Sequence, residues 1–213
     1  SRRLRVQRRL ASQDIMKQAD AREGSGPERF TSYALDASAK FKPGSEPTLS
    51  ANRQKLLKRA FRPILPLIRD ARHILDFGCG SGDLLAFLAQ HTSASLVGFD
   101  PSSSQMEVAR TRVNGLQSVR LDDNIHQLTG PFDLVFSLHV VEHVPDDDIP
   151  PYAASLTRHL APAGKLVLST PNGLNPLAYA YFMSTDRTHM RMHSAFTLNE
   201  IFRPVGYEVE RVH

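Results

Sequence analysis

The stretch ILDFGCGSGD, Ile74–Asp83, decides how the rest of this chain is read. An apolar run that ends in an acid and then places glycine at 78, 80 and 82 describes a strand turning tightly into a helix. Turns of this kind serve adenosine-bearing ligands. A dinucleotide needs G-x-G-x-x-G, with a third glycine where the helix N-terminus meets the pyrophosphate. Counted from Gly78, that position is Asp83. The spacing here is G-x-G-x-G with Asp76 two residues ahead, and acids around the loop repel a pyrophosphate but suit a sulfonium and an ammonium. The residues therefore favour S-adenosylmethionine (SAM) over a dinucleotide.

Outward from the loop, short apolar runs recur: HILDF (73–77), SLVGFD (95–100), VRLD (119–122), FDLVFS (132–137) and KLVLST (165–170). Helical patterns lie between most of them, in DLLAFLAQH, SSQMEVARTRV and DIPPYAASLTRHL. Strands alternating with helices predict a mostly parallel sheet covered on both faces, an α/β fold whose ligands bind beyond the carboxyl ends of the strands. Upstream, residues 2–22 read as a basic helix of low hydrophobicity, and 23–47 as a Gly/Pro/Ser-punctuated lid or linker. From Thr48, Leu56, Leu57, Ala60, Phe61, Ile64 and Leu65 fall at helical spacing, with Pro63 and Pro66 bending or ending that helix. The expected division is a basic N-terminal helix and lid over 1–47 and a catalytic domain over 48–213. At the far end, EIFRPVGYEVERVH reads as a helix and a sixth strand, with a seventh either absent or lying beyond a fragment.

The 213 residues are 41% hydrophobic and 23% charged, enough for one domain with a substantial core. There is no apolar run of about 18 residues and no secretory signal pattern, which leads to a cytoplasmic expectation, or one peripheral to the inner face of a membrane. The single cysteine, Cys79, excludes an intramolecular disulfide and a multi-cysteine zinc site. The net charge of +4 is unevenly spread: Ser1–Arg72 holds 17 basic and 7 acidic residues, and the remainder 9 and 15. The basic part either faces water or meets an acidic partner or an anionic membrane surface. No RNA-binding aromatic signature accompanies it, so nucleic acid is not the expected partner.

With these residues laid out, the region from Ile74 to Asn172 resembles a class I SAM-dependent methyltransferase of the broad type 11 kind. The resemblance implies a Rossmann-like three-layer sandwich with an N-terminal helical lid. It also implies that D-x-G-x-G-x-G, here Asp76, Gly78, Cys79, Gly80 and Gly82, wraps the methionine part of SAM. Asp100, ending the second strand of the run, would take both ribose hydroxyls, and Pro101 would lie against the adenine. Asp123, with Asn124 as the alternative, would take the adenine amine, and Ser137 and Leu138 would line the cofactor. Each acid alone equally suits a strand-end turn or a helix cap; four elements in order do not arise that way.

Two constellations bear on the chemistry. HVVEHVPDDD carries His139, Glu142 and His143 after the fourth strand of the run; it resembles the E-x-x-E-H segment of quinone-ring O-methyltransferases, which can hold a divalent metal. His139 replaces the first acid, so no metal is expected, with Glu142 and His143 as weak candidates. The bland alternative is that Glu142 and His143 brace the next helix. Residues 171–196 read as an active-site cover insert containing Tyr181, Asp186, Arg187, His189 and Arg191, whose pattern resembles methyltransferases of sugar and surface-polysaccharide biosynthesis. Asp186 could orient His189 as a base, with His143 as the alternative base, and Tyr181, Arg187 and Arg191 could hold the acceptor. The absence of an Asn/Asp-Pro-Pro-Tyr/Phe motif and of a nucleophilic cysteine argues against base-amine and cytosine chemistry. The expected activity is O-methylation of a small polar acceptor, a sugar or lipid-linked glycan hydroxyl, with SAM consumed and S-adenosylhomocysteine (SAH) released. The alternatives are a metal-assisted quinone or phenol O-methyltransferase and a non-catalytic SAM-binding domain.

Overall fold

A computed structural model describes residues 2–8 and 49–212. The elements are β1 (Arg2–Arg8), α1 (Ala51–Phe61), α2 (Leu65–Asp70), β2 (His73–Phe77), α3 (Asp83–Leu88), β3 (Ser95–Phe99), α4 (Ser103–Arg112), β4 (Val119–Asp122), β5 (Phe132–Leu138), α5 (Ile149–Arg158), β6 (Leu160–Thr170), α6 (Pro176–Thr185), α7 (Ala195–Phe202) and β7 (Tyr207–Val212). They form one sheet in the order β4-β3-β2-β5-β6-β1-β7. The first five of these run parallel to their neighbours, and β1 pairs antiparallel with both β6 and β7. No helix among the described residues is long and apolar enough to cross a membrane.

The strands read as near-continuous apolar runs because both faces are covered. Ile74, Leu134, Phe136 and Val167 face one side, where α1 to α3 pack Phe61, Ile68, Leu85 and Phe87 onto them. Leu75, Val135, Leu166 and Leu168, one residue out of phase, face the other side, under Tyr152 and Leu156 of α5 and Phe202 of α7. Gly98 of β3 permits the close approach of α3, since an added Cβ would lie 2.4 Å from the Leu85 side chain. Residues 62–64, between α1 and the Pro66-containing α2, tighten to a 3-10 turn with Pro63 in its first turn.

The expectation of a helix beginning at residue 2 is corrected by β1. Residues 9–47 of the expected helix and lid lie outside the described residues. In RRLRVQR, Leu4 and Val6 alternate with polar residues at period two, the strand period, and the strand joins the ladder between β6 and β7. Arg2–Arg8 thus gives the sheet its seventh strand, which was expected at the C-terminal end of the sequence if anywhere.

Strand order reverses between β2 and β5: the chain winds outward through β3 and β4, then returns to add β5 and β6 on the other side of β2. A crevice opens at such a switch point, beyond the carboxyl ends of the strands.

Candidate active site

The glycine loop is built on the end of β3. Backbone N–H groups of Gly78 and Cys79 both donate to the Phe99 carbonyl, at 2.7 and 2.9 Å, fixing the loop across the crevice. Gly78, Gly80 and Gly82 all hold positive φ, of 83°, 51° and 79°. At Gly78 an added Cβ would strike Val140 at 2.4 Å, whereas at Gly80 it would meet nothing closer than Gln105 Oε1 at 3.9 Å. The first glycine lets the loop after β5 approach; the second leaves open room for a ligand against bare backbone.

Asp100 locks this arrangement. Its Oδ2 accepts from the Gly80 N–H at 2.8 Å and its Oδ1 from the Ser102 N–H at 2.9 Å. Burial pushes its carboxyl up from the ordinary range, against the pull of the Ser102 and Gly80 N–H groups. Asp76, only 2% exposed, has its carboxyl pushed up to about 8 by burial and by the neighbouring Asp100 and Asp83. Two acids at one loop, each pushed up by burial, suit a ligand that brings positive charge. Cys79 is buried against Met106, its thiol pushed up by burial, and acts as a small packing residue.

These residues border a cavity of about 640 Å³, within the range of about 300–1,000 Å³ usual for small-ligand sites. Asp76, Gly78, Cys79, Gly80, Asp100 and Pro101 form one part of its wall; Leu138, His139, His143 and Asp186 form another. SAM therefore fits the residues present: bare backbone at Gly80, acids for its cationic part, and a carboxylate at Asp100 with lone pairs to spare.

Other expected residues stand elsewhere. Gly82 caps α3 just behind the wall. Ser137 is 1% exposed, with its hydroxyl 2.7 Å from that of Tyr152, one layer beneath the cavity. Asp123 is exposed and paired with Arg110 at 2.9 Å, and the Asn124 side chain accepts from the His126 N–H; neither borders the cavity. Tyr181 and Arg187 are exposed on the cover, and Arg191 pairs with Asp146 at 3.0 Å.

The cover is pinned at both ends. Asn172 bridges His193, the Gly173 N–H donates to the His193 carbonyl at 3.0 Å, and the Met190 N–H donates to the Glu142 carbonyl at 2.8 Å. This brings His189 beside His143, with ring centroids 4.8 Å apart. His189 Nδ1 donates to the Phe182 carbonyl at 3.1 Å, and its Nε2 lies 3.9 Å from Asp186 Oδ2, so the expected Asp186–His189 pair is longer than a hydrogen bond. Asp186 instead accepts from the Thr188 hydroxyl at 2.6 Å, and Thr188 in turn accepts from His143 Nδ1 through its carbonyl and hydroxyl oxygens, at 3.2 and 3.0 Å. Burial pulls His143 below its ordinary value, more strongly than Glu142 raises it. His189 does not border the cavity, whereas His143 and Asp186 do.

Glu142 is wholly buried. Burial pushes its carboxyl up, but the hydrogen bond from His139 Nδ1 to Oε1, at 3.2 Å, and the charges of His139 and His143 hold it below the usual range. His139 adopts φ 58°, a left-handed conformation uncommon outside glycine and costly in ordinary loops.

Sequence reasoning missed four contributors. Arg112 reaches back from α4 to the Ser81 hydroxyl and to Asp83, and Arg53 of α1 donates to Asp83 at 2.9 Å, so the residue that replaced the third glycine anchors two cations. Thr188 carried a signal in D-x-T, an Asx-turn pattern, and Tyr152 carried none.

One titration follows from Asp76. In the ligand-free protein its carboxyl keeps its proton below about pH 8, and a bound cation favours ionisation. SAM binding near pH 7 is expected to release roughly one proton, absent in Asp76→Asn, read by calorimetry in buffers of differing ionisation enthalpy. In the unfolded chain the same group ionises near pH 4, so its ionisation costs the ligand-free protein stability as pH rises from about 4 to about 8. Asp76→Asn should accordingly melt later than the parent at pH 8 without ligand.

A family model described as "Methyltransferase domain" matches residues 49–212. Over 103 residues the chain is 32% identical to the cyclopropane-fatty-acyl-phospholipid synthase of Escherichia coli, covering 48% of this chain and 27% of that protein. It is 33% identical over 118 residues to the ubiquinone biosynthesis O-methyltransferase of Pseudomonas aeruginosa, covering 52% of this chain and 48% of that one. The chain therefore spans about a quarter to a half of these relatives. A SAM-dependent methyltransferase from Archaeoglobus fulgidus shares the fold, with a TM-score of 0.60 and 24% identity over 72% of this chain and 68% of that one. Given the matched domain, the switch-point cavity and the acid-lined glycine loop, this chain belongs to the methyltransferase domain family, and its cofactor is SAM.

Proposed function

We propose that this chain transfers the methyl group of SAM to a hydroxyl oxygen of a small polar acceptor, a sugar or glycan, and releases SAH. The observation that carries the reading is that one cavity joins the cofactor loop to His143, whose Nδ1 is engaged by Thr188. With Nδ1 donating, Nε2 keeps its lone pair. SAM supplies the electrophilic methyl on a sulfonium. The chain orients both reactants and takes the hydroxyl proton as the oxygen attacks in line, a task that falls to the Glu142, His143 and His189 group. Asp186 acts behind His143 through Thr188 rather than on His189 alone. Tyr181, Arg187 and Arg191, on the outer part of the cover, are suited to the distal end of an extended or anionic acceptor.

A second reading, a quinone or phenol O-methyltransferase, draws on the apolar wall beside His143, where Leu138, Val140 and Val144 border the cavity. A labelled-methyl transfer screen over sugars, sugar nucleotides, lipid-linked glycans and phenols separates the two. Transfer to sugar-bearing acceptors is expected. Transfer confined to phenols would overturn the sugar assignment, and SAH binding with transfer to none of these classes would favour a non-catalytic SAM-binding domain.

A further inference from the structure

His139 is the imidazole of the cavity wall that proton transfer to His143 leaves without a task. Both residues border the cavity, and the His139 side chain is 54% exposed while that of Glu142 behind it is 1% exposed. The backbone of His139 is fixed as well. Its N–H donates to the Ser169 carbonyl at 2.6 Å, tying the end of β5 to β6, and its φ stands at 58°. Glycine meets such a turn at less steric cost but brings no imidazole to the cavity.

The carboxylate behind the ring is the second observation. Taking a carboxylate out of water is costly, more than a brace for a half-exposed ring requires. Burial pushes the Glu142 carboxyl up, and the hydrogen bond from His139 Nδ1, at 3.2 Å, brings it below the usual range. An ionised carboxylate only accepts, so His139 Nδ1 is the donor and the neutral ring keeps its lone pair on Nε2. No hydrogen bond to that nitrogen comes from the described residues. His143 stands in the same tautomer, because the Thr188 hydroxyl spends its hydrogen on Asp186 and the Thr188 carbonyl can only accept. One cavity thus presents two imidazole nitrogens that accept and do not donate. The reacting hydroxyl satisfies one of them. The other calls for a second donor, and an acceptor with a single hydroxyl has none to give.

We propose that His139 is an acceptor-binding residue whose Nε2 takes a hydrogen bond from a second hydroxyl of the sugar, next to the hydroxyl whose proton passes to His143. The substrate class narrows to sugars in which the methylated hydroxyl has a free hydroxyl neighbour. This rests on the methyl-transfer reading and leaves its step unchanged: the C–O bond forms as the C–S bond breaks, sulfur keeps the electron pair in SAH, and the reacting proton goes to His143 Nε2. The second hydroxyl keeps its own proton. Each pair is therefore methylated once, since the ether made by the first transfer cannot donate to His139.

The tautomer is read without turnover. In the SAH complex above neutral pH, long-range nitrogen–proton spectra of the imidazoles should show His139 protonated on Nδ1 and bare on Nε2; a proton on Nε2 would overturn the proposal. Recognition is read by labelled-methyl transfer to the methyl glycosides of mannose, galactose and rhamnose, each against its monodeoxy analogues. A methylated glycoside should lose about tenfold or more in kcat/KM, mainly through KM, when the hydroxyl beside the reacting one is removed. His139→Asn tolerates the left-handed backbone and keeps an amide near Glu142, but has no atom at the Nε2 position. It should lose a similar factor on the parent glycoside and no longer distinguish it from the deoxy analogue. His139→Gln returns an amide to the Nε2 position and should restore part of the discrimination, which a mere brace for Glu142 would not do. SAH affinity close to the parent's reports that the variants are folded; if His139→Asn loses it, the spectra and the deoxy comparison in the parent enzyme decide. Equal transfer to a glycoside and its deoxy analogue, full discrimination retained in His139→Asn, or two methyl groups on one pair would overturn the role of His139 and leave the methyltransferase reading standing. SAH binding with transfer to none of the glycosides, deoxy or not, would overturn the sugar reading and this proposal with it.

Discussion

Asp100→Asn is expected to weaken binding of both SAM and SAH by at least about 100-fold, the largest single effect available at the cofactor site. The carboxylate has two oxygens and about four lone-pair positions, of which the Gly80 and Ser102 N–H groups use two. The others are available for ribose hydroxyls. An amide at this position turns one oxygen into an NH2 group, which must face either a backbone N–H or a hydroxyl it cannot accept from. Losing one or two charge-assisted hydrogen bonds at about 1.5–3 kcal/mol each gives the stated factor. Calorimetry with SAH measures it directly. An affinity within threefold of the parent would mean that Asp100 holds the loop but not the ligand. Asp100→Ala separates the two roles further, because it removes the acceptors without presenting a donor to Gly80 and should also loosen the loop.

His143→Ala is expected to lower kcat by roughly 100- to 10,000-fold with SAH affinity nearly unchanged. The residue borders the cavity while the cofactor loop lies across from it, so its loss removes proton handling without touching the SAM contacts. Single-turnover transfer to an identified acceptor reads the chemical step. His189→Ala should lower kcat as well, even though His189 stands outside the cavity wall, because its ring packs beside His143 and completes the same donor group. Retention of parental kcat in both single variants and in the double variant would remove the group from the chemistry altogether.

The strands and helices around the cofactor were legible because their signals are local. Each strand from β2 to β6 is a run of apolar residues bounded by turns, and each covering helix repeats its apolar face within two or three turns of chain. The loop at Gly78 to Gly82 is likewise written in consecutive residues, since positive φ at three positions requires glycine in that spacing. The N-terminal strand was misread for the opposite reason. RRLRVQR has only two apolar residues, so helix and strand periods are barely distinguished, and its place is set by β6 and β7, more than 150 residues away.

The site divides along the same line. The pairing of Asp76 and Asp100 with the glycine loop was carried by fixed spacing, whereas Asp123 and Asn124 depended on where a short strand ends. In the structure Asp123 turns outward to Arg110. His189 and Asp186, three residues apart, were read as a pair; folding instead places Thr188 between Asp186 and His143. The sequence by itself determined the fold class, the cofactor and the reaction type, because these rest on short-range periodicity and on a motif whose backbone geometry admits few residues. Only the tertiary structure decided that Glu142, His143 and His189 form one group. Their meeting depends on how the cover closes over the loop after β5, and that closure comes from the Asn172–His193 bridge and the Met190–Glu142 hydrogen bond, contacts between segments that no local pattern relates.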